Sequence, residues 1–116
     1  MRLSNNLLED YAGLKVAEAI LLNKVIRTVH VANNKLSSEV AEKYAEVITN
    51  NKNMKDLDLS NNLFIMDELS TLAHAFKESN LEILNLRGNV VSAEEIGAFE
   101  DMLSTVANMP RRKFLF

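Results

Sequence analysis

The sequence predicts a single α/β domain, built as a right-handed β/α solenoid of about four stacked units. Three observations predict it. A short apolar pattern recurs every 27 or 28 residues, each recurrence carries the two-residue alternation of a strand, and each is followed by a stretch with helical spacing. The length of 116 residues suits one domain, and 47% apolar residues are enough for one continuous core.

The strand element comes first in each unit. Leu59-Ser60-Asn61-Asn62-Leu63 recurs as Leu3-Ser4-Asn5-Asn6-Leu7, and the same frame reads Val31-Ala32-Asn33-Asn34-Lys35 and Leu86-Arg87-Gly88-Asn89-Val90. Its asparagines stand at 6, 34, 62 and 89, spaced by 28, 28 and 27 residues. Alternation at Val29/Val31, Leu57/Leu59 and Leu84/Leu86 points these side chains to one face of a short strand and leaves the intervening residues on the other. The asparagine then turns the chain. Its amide can satisfy backbone groups of the loops stacked beside it, so an asparagine ladder is expected.

The second element of each unit reads as a helix. The columns Gly13/Ala41/Leu69/Ile96, Val16/Tyr44/Leu72/Phe99 and Ile20/Ile48/Phe76/Leu103 fall at i, i+3 and i+7, one face of a helix. Ser37 or Ser38, Asp67 and Ser92 stand where N-caps belong, and Glu95 completes a capping box with Ser92. Asn23, Asn50-Asn51, Ser79-Asn80 and Asn108 close the helices. The units run over about 1–25, 26–53, 54–80 and 81–108, with 109–116 as a terminal cap or degenerate strand.

Written out, the frame is Ile26-x-x-Val29-x-Val31-x-x-Asn34-x-Leu36, Met54-x-x-Leu57-x-Leu59-x-x-Asn62-x-Phe64 and Leu81-x-x-Leu84-x-Leu86-x-x-Asn89-x-Val91. This resembles the leucine-rich repeat, L-x-x-L-x-L-x-x-N-x-L. The 28-residue length with a full helix is similar to the ribonuclease-inhibitor class, which includes ribonuclease inhibitor, the Ran GTPase-activating protein and the C-terminal half of tropomodulin. Within it, Asn51-Lys52-Asn53-Met54-Lys55-Asp56-Leu57-Asp58-Leu59 looks most like tropomodulin. The resemblance implies a horseshoe segment with its sheet on the concave side, and a scaffold for protein binding with a cytoskeletal partner as one option. Regulation of a small GTPase and a structural role within a longer array are the alternatives. The chain lacks an arginine in Lys35–Ser38, Phe64–Asp67 or Val90–Ala93 to match the GTPase-activating relatives, and it lacks the cysteines of ribonuclease inhibitor.

Composition narrows the function classes. A net charge of −3 dispersed along the chain gives no footprint for nucleic acid or an anionic membrane, and no apolar run reaches the length of a spanning helix. Without cysteine there is no disulfide framework, thiolate metal site or cysteine nucleophile, which fits a reducing, cytoplasmic compartment. No cofactor is expected, and no catalytic constellation stands out. His30 aligns with Asp58 and Asn85 in a variable column and reads as a surface polar residue, while His74 lies on a helix in another layer. Glu94-Glu95 and Glu100-Asp101 read as a solvated helix face. Tyr44, Phe76 and Phe99 read as core, whereas the tail Arg111-Arg112-Lys113-Phe114-Leu115-Phe116 suits a terminal strand or cap.

The expected binding surface is therefore the outward face of the sheet, with Arg27, His30, Lys55, Asp56, Asp58, Glu82, Asn85 and Arg87 as its protein-binding residues. Thr28, Ala32, Ser60 and Ile83 belong to the same exposed columns. Its mixed charge favours complementarity with a protein over attraction to a polyanion. At the ends, Met1 and Leu3 align with Leu57 and Leu59, so the first strand lacks its opening positions, while Met109-Pro110 breaks the consensus. Leu3, Leu8, Val16 and Ile20 are expected to be partly exposed and covered by a second copy, giving a homodimer through the N-terminal repeat, or by preceding repeats.

Overall fold

The structure, a computed structural model, describes residues 1–98, 104–105 and 111–116. Expectations for Phe99, Leu103, Asn108, Met109, Pro110 and the side chain of Ile96 lie outside the described residues. Helix α1 (Glu9–Leu22) leads into strand β1 (Thr28–His30), followed by α2 (Ser38–Asn50), β2 (Asp56–Asp58), α3 (Met66–Lys77), β3 (Ile83–Asn85), α4 (Ala93–Ala98) and β4 (Lys113–Leu115). The four strands form one parallel sheet in chain order. Thr28, Asp56, Ile83 and Lys113 stand side by side in the register, and so do His30, Asp58, Asn85 and Leu115. On the outer edge of β1, Arg2 makes a parallel bridge with His30, and the Leu3 N–H donates to the His30 carbonyl at 2.7 Å. The result is a mixed α/β fold in which α1 packs on α2 and α2 on α3.

Alternation decides which side of the sheet is core. Val29, Leu57, Leu84 and Phe114, the middle residue of each strand, are all buried, and Val31, Leu59 and Leu86 continue that inward row. The helices answer from the other side with Gly13, Ile20, Ala41, Tyr44, Ile48, Leu69, Leu72 and Phe76, all buried. Leu36 and Phe64 fill the space beneath the loops. Ile20, expected to be partly exposed, is fully buried, while Leu3, Leu8 and Val16 are half-buried. Ile20 sits on the core-facing stripe of α1 with Gly13 and Ala17, so it points inward whatever covers the end of the sheet.

Each helix start has its own chemistry. Ser37 precedes α2 as the N-cap residue, but its hydroxyl and its N–H both donate to the Asp10 carboxylate, the N–H at 2.7 Å, and neither closes its own helix. Asp67 is not the N-cap of α3. That helix begins at Met66 behind Ile65, 28 residues after the start of α2, because stacking carries the register forward and the buried Met66 belongs to the first turn. Asp67 and Glu68 instead face the positive end of the helix dipole, and Glu68 accepts the Ile65 N–H at 3.4 Å. Before α4 the capping box forms as expected: the Glu95 N–H donates to Ser92 Oγ and the Ser92 N–H to Glu95 Oε1, both at 3.1 Å.

The asparagines bind the units together. Asn34 Oδ1 accepts the N–H groups of Asn6 (2.8 Å) and Leu8 (3.3 Å), one unit back in the chain. Asn62 Oδ1 does the same for Asn34 (2.9 Å) and Leu36 (3.1 Å), and Asn89 Oδ1 accepts the Phe64 N–H at 3.1 Å. Their amide nitrogens donate in turn to carbonyls just past the strand ends, as Asn62 Nδ2 does to Val31, Leu59 and Ser60. Buried loop backbone that neither helix nor sheet can satisfy is thus paired by a side chain from the adjoining unit.

Candidate functional site

All eight expected residues lie on the outward side of the sheet or immediately beside its strands. Arg27, Glu82 and Arg87 are exposed; His30, Lys55, Asp56, Asp58 and Asn85 are half-buried. The strands bring His30 and Asp56 together, with His30 Nε2 3.5 Å from Asp56 Oδ2, a charged pair only when the imidazole is protonated. Among the described residues no other ion pair ties these eight side chains to each other. Arg27, Lys55, Glu82 and Arg87 thus frame the acidic centre at Asp56 and Asp58 without being tied to it.

Two of the expected surface residues also hold the scaffold. Asp58 Oδ1 accepts both the N–H (2.9 Å) and the hydroxyl (2.6 Å) of Ser60, and Asn85 Oδ1 accepts the Arg87 N–H at 3.1 Å. These are turns closed by a side chain two residues back, the habit of Asp and Asn where a strand ends. Ser60 is consequently buried and is removed from the set of exposed columns. Thr28, Ala32 and Ile83 are half-buried.

The remaining candidates separate by location. His74 is exposed on α3 and Glu94 is exposed on α4, away from the sheet face, while Glu100-Asp101 lie outside the described residues. Tyr44 and Phe76 are buried, and burial pushes the Tyr44 phenol above its ordinary range as its hydroxyl donates to the Gly13 carbonyl at 3.2 Å. Among the described residues no group of three or more His, Asp or Glu side chains could hold a metal ion, and no helix is long and apolar enough to cross a membrane.

Three features that hold the scaffold are not predicted from the sequence. Asn5, Asn33, Asn61 and Gly88 share a left-handed backbone, with φ of 64, 57, 54 and 73°. Asparagine and glycine tolerate that region best, and the recurring Asn-Asn and Gly-Asn pairs were the available signal. A second set of ties runs along the helix ends. Asn51 Nδ2 donates to the Ile20 (2.9 Å) and Asn23 (3.1 Å) carbonyls, again across one unit, and the 28-residue spacing of Asn23 and Asn51 could have pointed to it. The third is Arg112, which donates through Nε to the Leu81 carbonyl (2.9 Å) and through Nη2 to the Phe76 carbonyl, and lies 4.1 Å from the Phe76 ring centre. The sequence pattern of the tail carrying it points to a terminal strand or cap and gives no sign of this contact. No protein-family model matches the chain, and no curated protein matches it.

Proposed function

We propose that the chain is a leucine-rich-repeat solenoid of the ribonuclease-inhibitor class that binds another protein on the outward face of its sheet, without catalysing a reaction. The observation that carries this reading is the asparagine ladder in 28-residue register, which fixes parallel strands side by side while the outward columns differ from strand to strand. A rigid frame with variable outward positions suits recognition of a folded surface, because little side-chain and loop ordering remains to be done on binding. The mixture of Arg27, Lys55 and Arg87 around Asp56, Asp58 and Glu82 fits a partner of complementary, alternating charge. A cytoplasmic location belongs to the same reading and rests on the cysteine-free sequence.

Reversing Arg27, Lys55 and Arg87 to Glu tests it without touching the turn that Asp58 holds. Partners captured by the parent chain should be lost from this variant while its circular dichroism stays native. Glu42→Lys with Glu94→Lys, on exposed helix positions, should retain them. Equal loss from both variants would remove the case for the sheet face.

A further inference from the structure

Helix α1 departs from α2 and α3 on the side that faces away from the core. Tyr11, Lys15, Glu18 and Leu22 form one stripe at i, i+4, i+7 and i+11, opposite the buried Gly13, Ala17 and Ile20. Twenty-eight residues on, the same stripe is Glu39, Lys43, Glu46 and Asn50; another 28 on, it is Asp67, Thr71, His74 and Glu78. Both outer positions are polar and exposed in α2 and α3, yet α1 carries Tyr11 and Leu22 there, 78% and 83% exposed. Val25, just past the helix, is 82% exposed where the next unit has Asn53. Isolated surface apolar residues need no explanation, but a recurrence that is polar at these solvent positions in α2 and α3 and apolar at several of them in α1 does.

The order of side chains along the stripe identifies the occupant. It reads apolar, positive, negative, apolar, so it is complementary to itself when reversed. We propose that this face is the contact between two copies of the chain, with two α1 helices packed antiparallel about a two-fold axis crossing midway between Lys15 and Glu18. Lys15 then meets the partner's Glu18, Glu18 meets the partner's Lys15, and Tyr11 lies on the partner's Leu22. An isologous interface of this kind requires that self-complementarity, with each patch contacting its own image. Within one copy, Lys15 already lies 3.6 Å from Glu18 and 5.6 Å from the Tyr11 ring centre, so the charges are held in the stripe, each close enough to exchange partners. Large side chains of this sort each offer on the order of 100–200 Å², and Tyr11, Leu22 and Val25 supply about half of the roughly 800 Å² per partner of a standard interface. The half-buried Ala12 and Val16 and the exposed Ala19, on the neighbouring flank, are small enough to let a second helix approach.

Sedimentation of the full chain from micromolar to millimolar concentration reads the equilibrium directly. A dimer that dissociates on dilution is expected, and Tyr11→Lys with Leu22→Lys should raise its dissociation constant at least about tenfold. Lys15→Glu alone, and Glu18→Lys alone, place like charges opposite each other and should each weaken the dimer several-fold. Combining them restores the pairing and should return the constant to within about twofold of the parent. A parent chain that stays monomeric throughout, a dimer indifferent to Tyr11 and Leu22, or a double charge exchange that fails to restore association would each overturn the proposal. The Arg27, Lys55 and Arg87 reversals should leave sedimentation unchanged, and a loss of dimer there would place the contact on the sheet instead. Failure here is thus separate from failure of the protein-binding reading.

Discussion

Asn62 shows what one side chain does in this fold. Its Oδ1 accepts two buried N–H groups, from Asn34 and Leu36, and its Nδ2 donates to the carbonyls of Val31, Leu59 and Ser60. Alanine at that position leaves those amides without an acceptor at a site that is only 3% exposed. Asn62→Ala is therefore expected to lower unfolding stability by about 1–3 kcal/mol, or more if both amides stay dry. Urea denaturation checks this, and a change of a few tenths of a kcal/mol would show that relaxation or water replaces the bonds. Asn6 occupies the same place in its unit but is exposed, with its Nδ2 on the Leu3 and Ser4 carbonyls, so Asn6→Ala should cost less. The spacing of these residues was legible because a ladder demands one asparagine per unit. The left-handed residues beside them were not read, since Asn5, Asn33 and Asn61 look like part of the same motif while meeting a backbone requirement of their own.

At the scale of the element, the strands and helices followed from periodicity, and their joints depended on neighbours. The N-cap of α3 is Ile65 and not the expected Asp67, and the Ser37 hydroxyl goes to Asp10 in the preceding unit. Strand β4 depends on a contact of the same long-range kind. Arg112 reaches the end of α3, where its guanidinium donates to the Phe76 carbonyl of the last turn and to the Leu81 carbonyl beyond the helix and stacks on Phe76, while Phe114 packs 5.7 Å from the same ring. Burial lowers the Arg112 pKa, and the carbonyls around the guanidinium provide acceptors to offset the lost water. Arg112→Leu keeps an apolar stem over Phe76 and removes the donors. Hydrogen exchange at Leu115 and at the Lys113 N–H, which bonds the Glu82 carbonyl at 2.7 Å, should then quicken well before exchange in β2. Unchanged protection of β4 would show that Phe114 alone holds the strand.

For the whole molecule, the buried Tyr44 phenol makes stability sensitive to alkali. It donates to the Gly13 carbonyl between α2 and α1, and burial holds its pKa above the ordinary 10.0. In the unfolded chain the phenol ionises near that value, while in the folded protein it keeps its proton, so the unfolded state binds fewer protons as pH rises. Its contribution is full below pH 10 and declines as pH climbs beyond it. Tyr44→Phe should be less stable than the parent by about 1 kcal/mol at neutral pH, through the lost hydrogen bond, and the gap should close above pH 10. Denaturation midpoints at pH 8 and pH 10.5 check this, and two parallel curves would contradict it. The proposed binding surface was legible only in part. His30, Asp56, Asp58 and Asn85 reach the outward side because alternation fixes the side of each strand, whereas Arg27, Lys55, Glu82 and Arg87 lie just outside the strand bounds; alternation gives no sign that Asp58 and Asn85 are spent in turns or that Ser60 is covered.

By itself the sequence determined the mixed α/β character, the strand and helix in each unit, the apolar face of each and the places of the ladder asparagines. These follow from local geometry repeated at a constant interval: an alternation of two, a helical period of 3.6, and a turn that needs one amide per unit. The tertiary structure decided what depends on atoms brought together from about 28 residues apart. It set the register of each helix start, joined Ser37 to Asp10 and Asn51 to the preceding helix end, and drew Arg112 onto α3. It also showed that Tyr11 and Leu22, at the two ends of one stripe of α1, are both exposed away from the core. A pattern records which residues share a face, but only packing against a neighbouring unit records whether that face is covered.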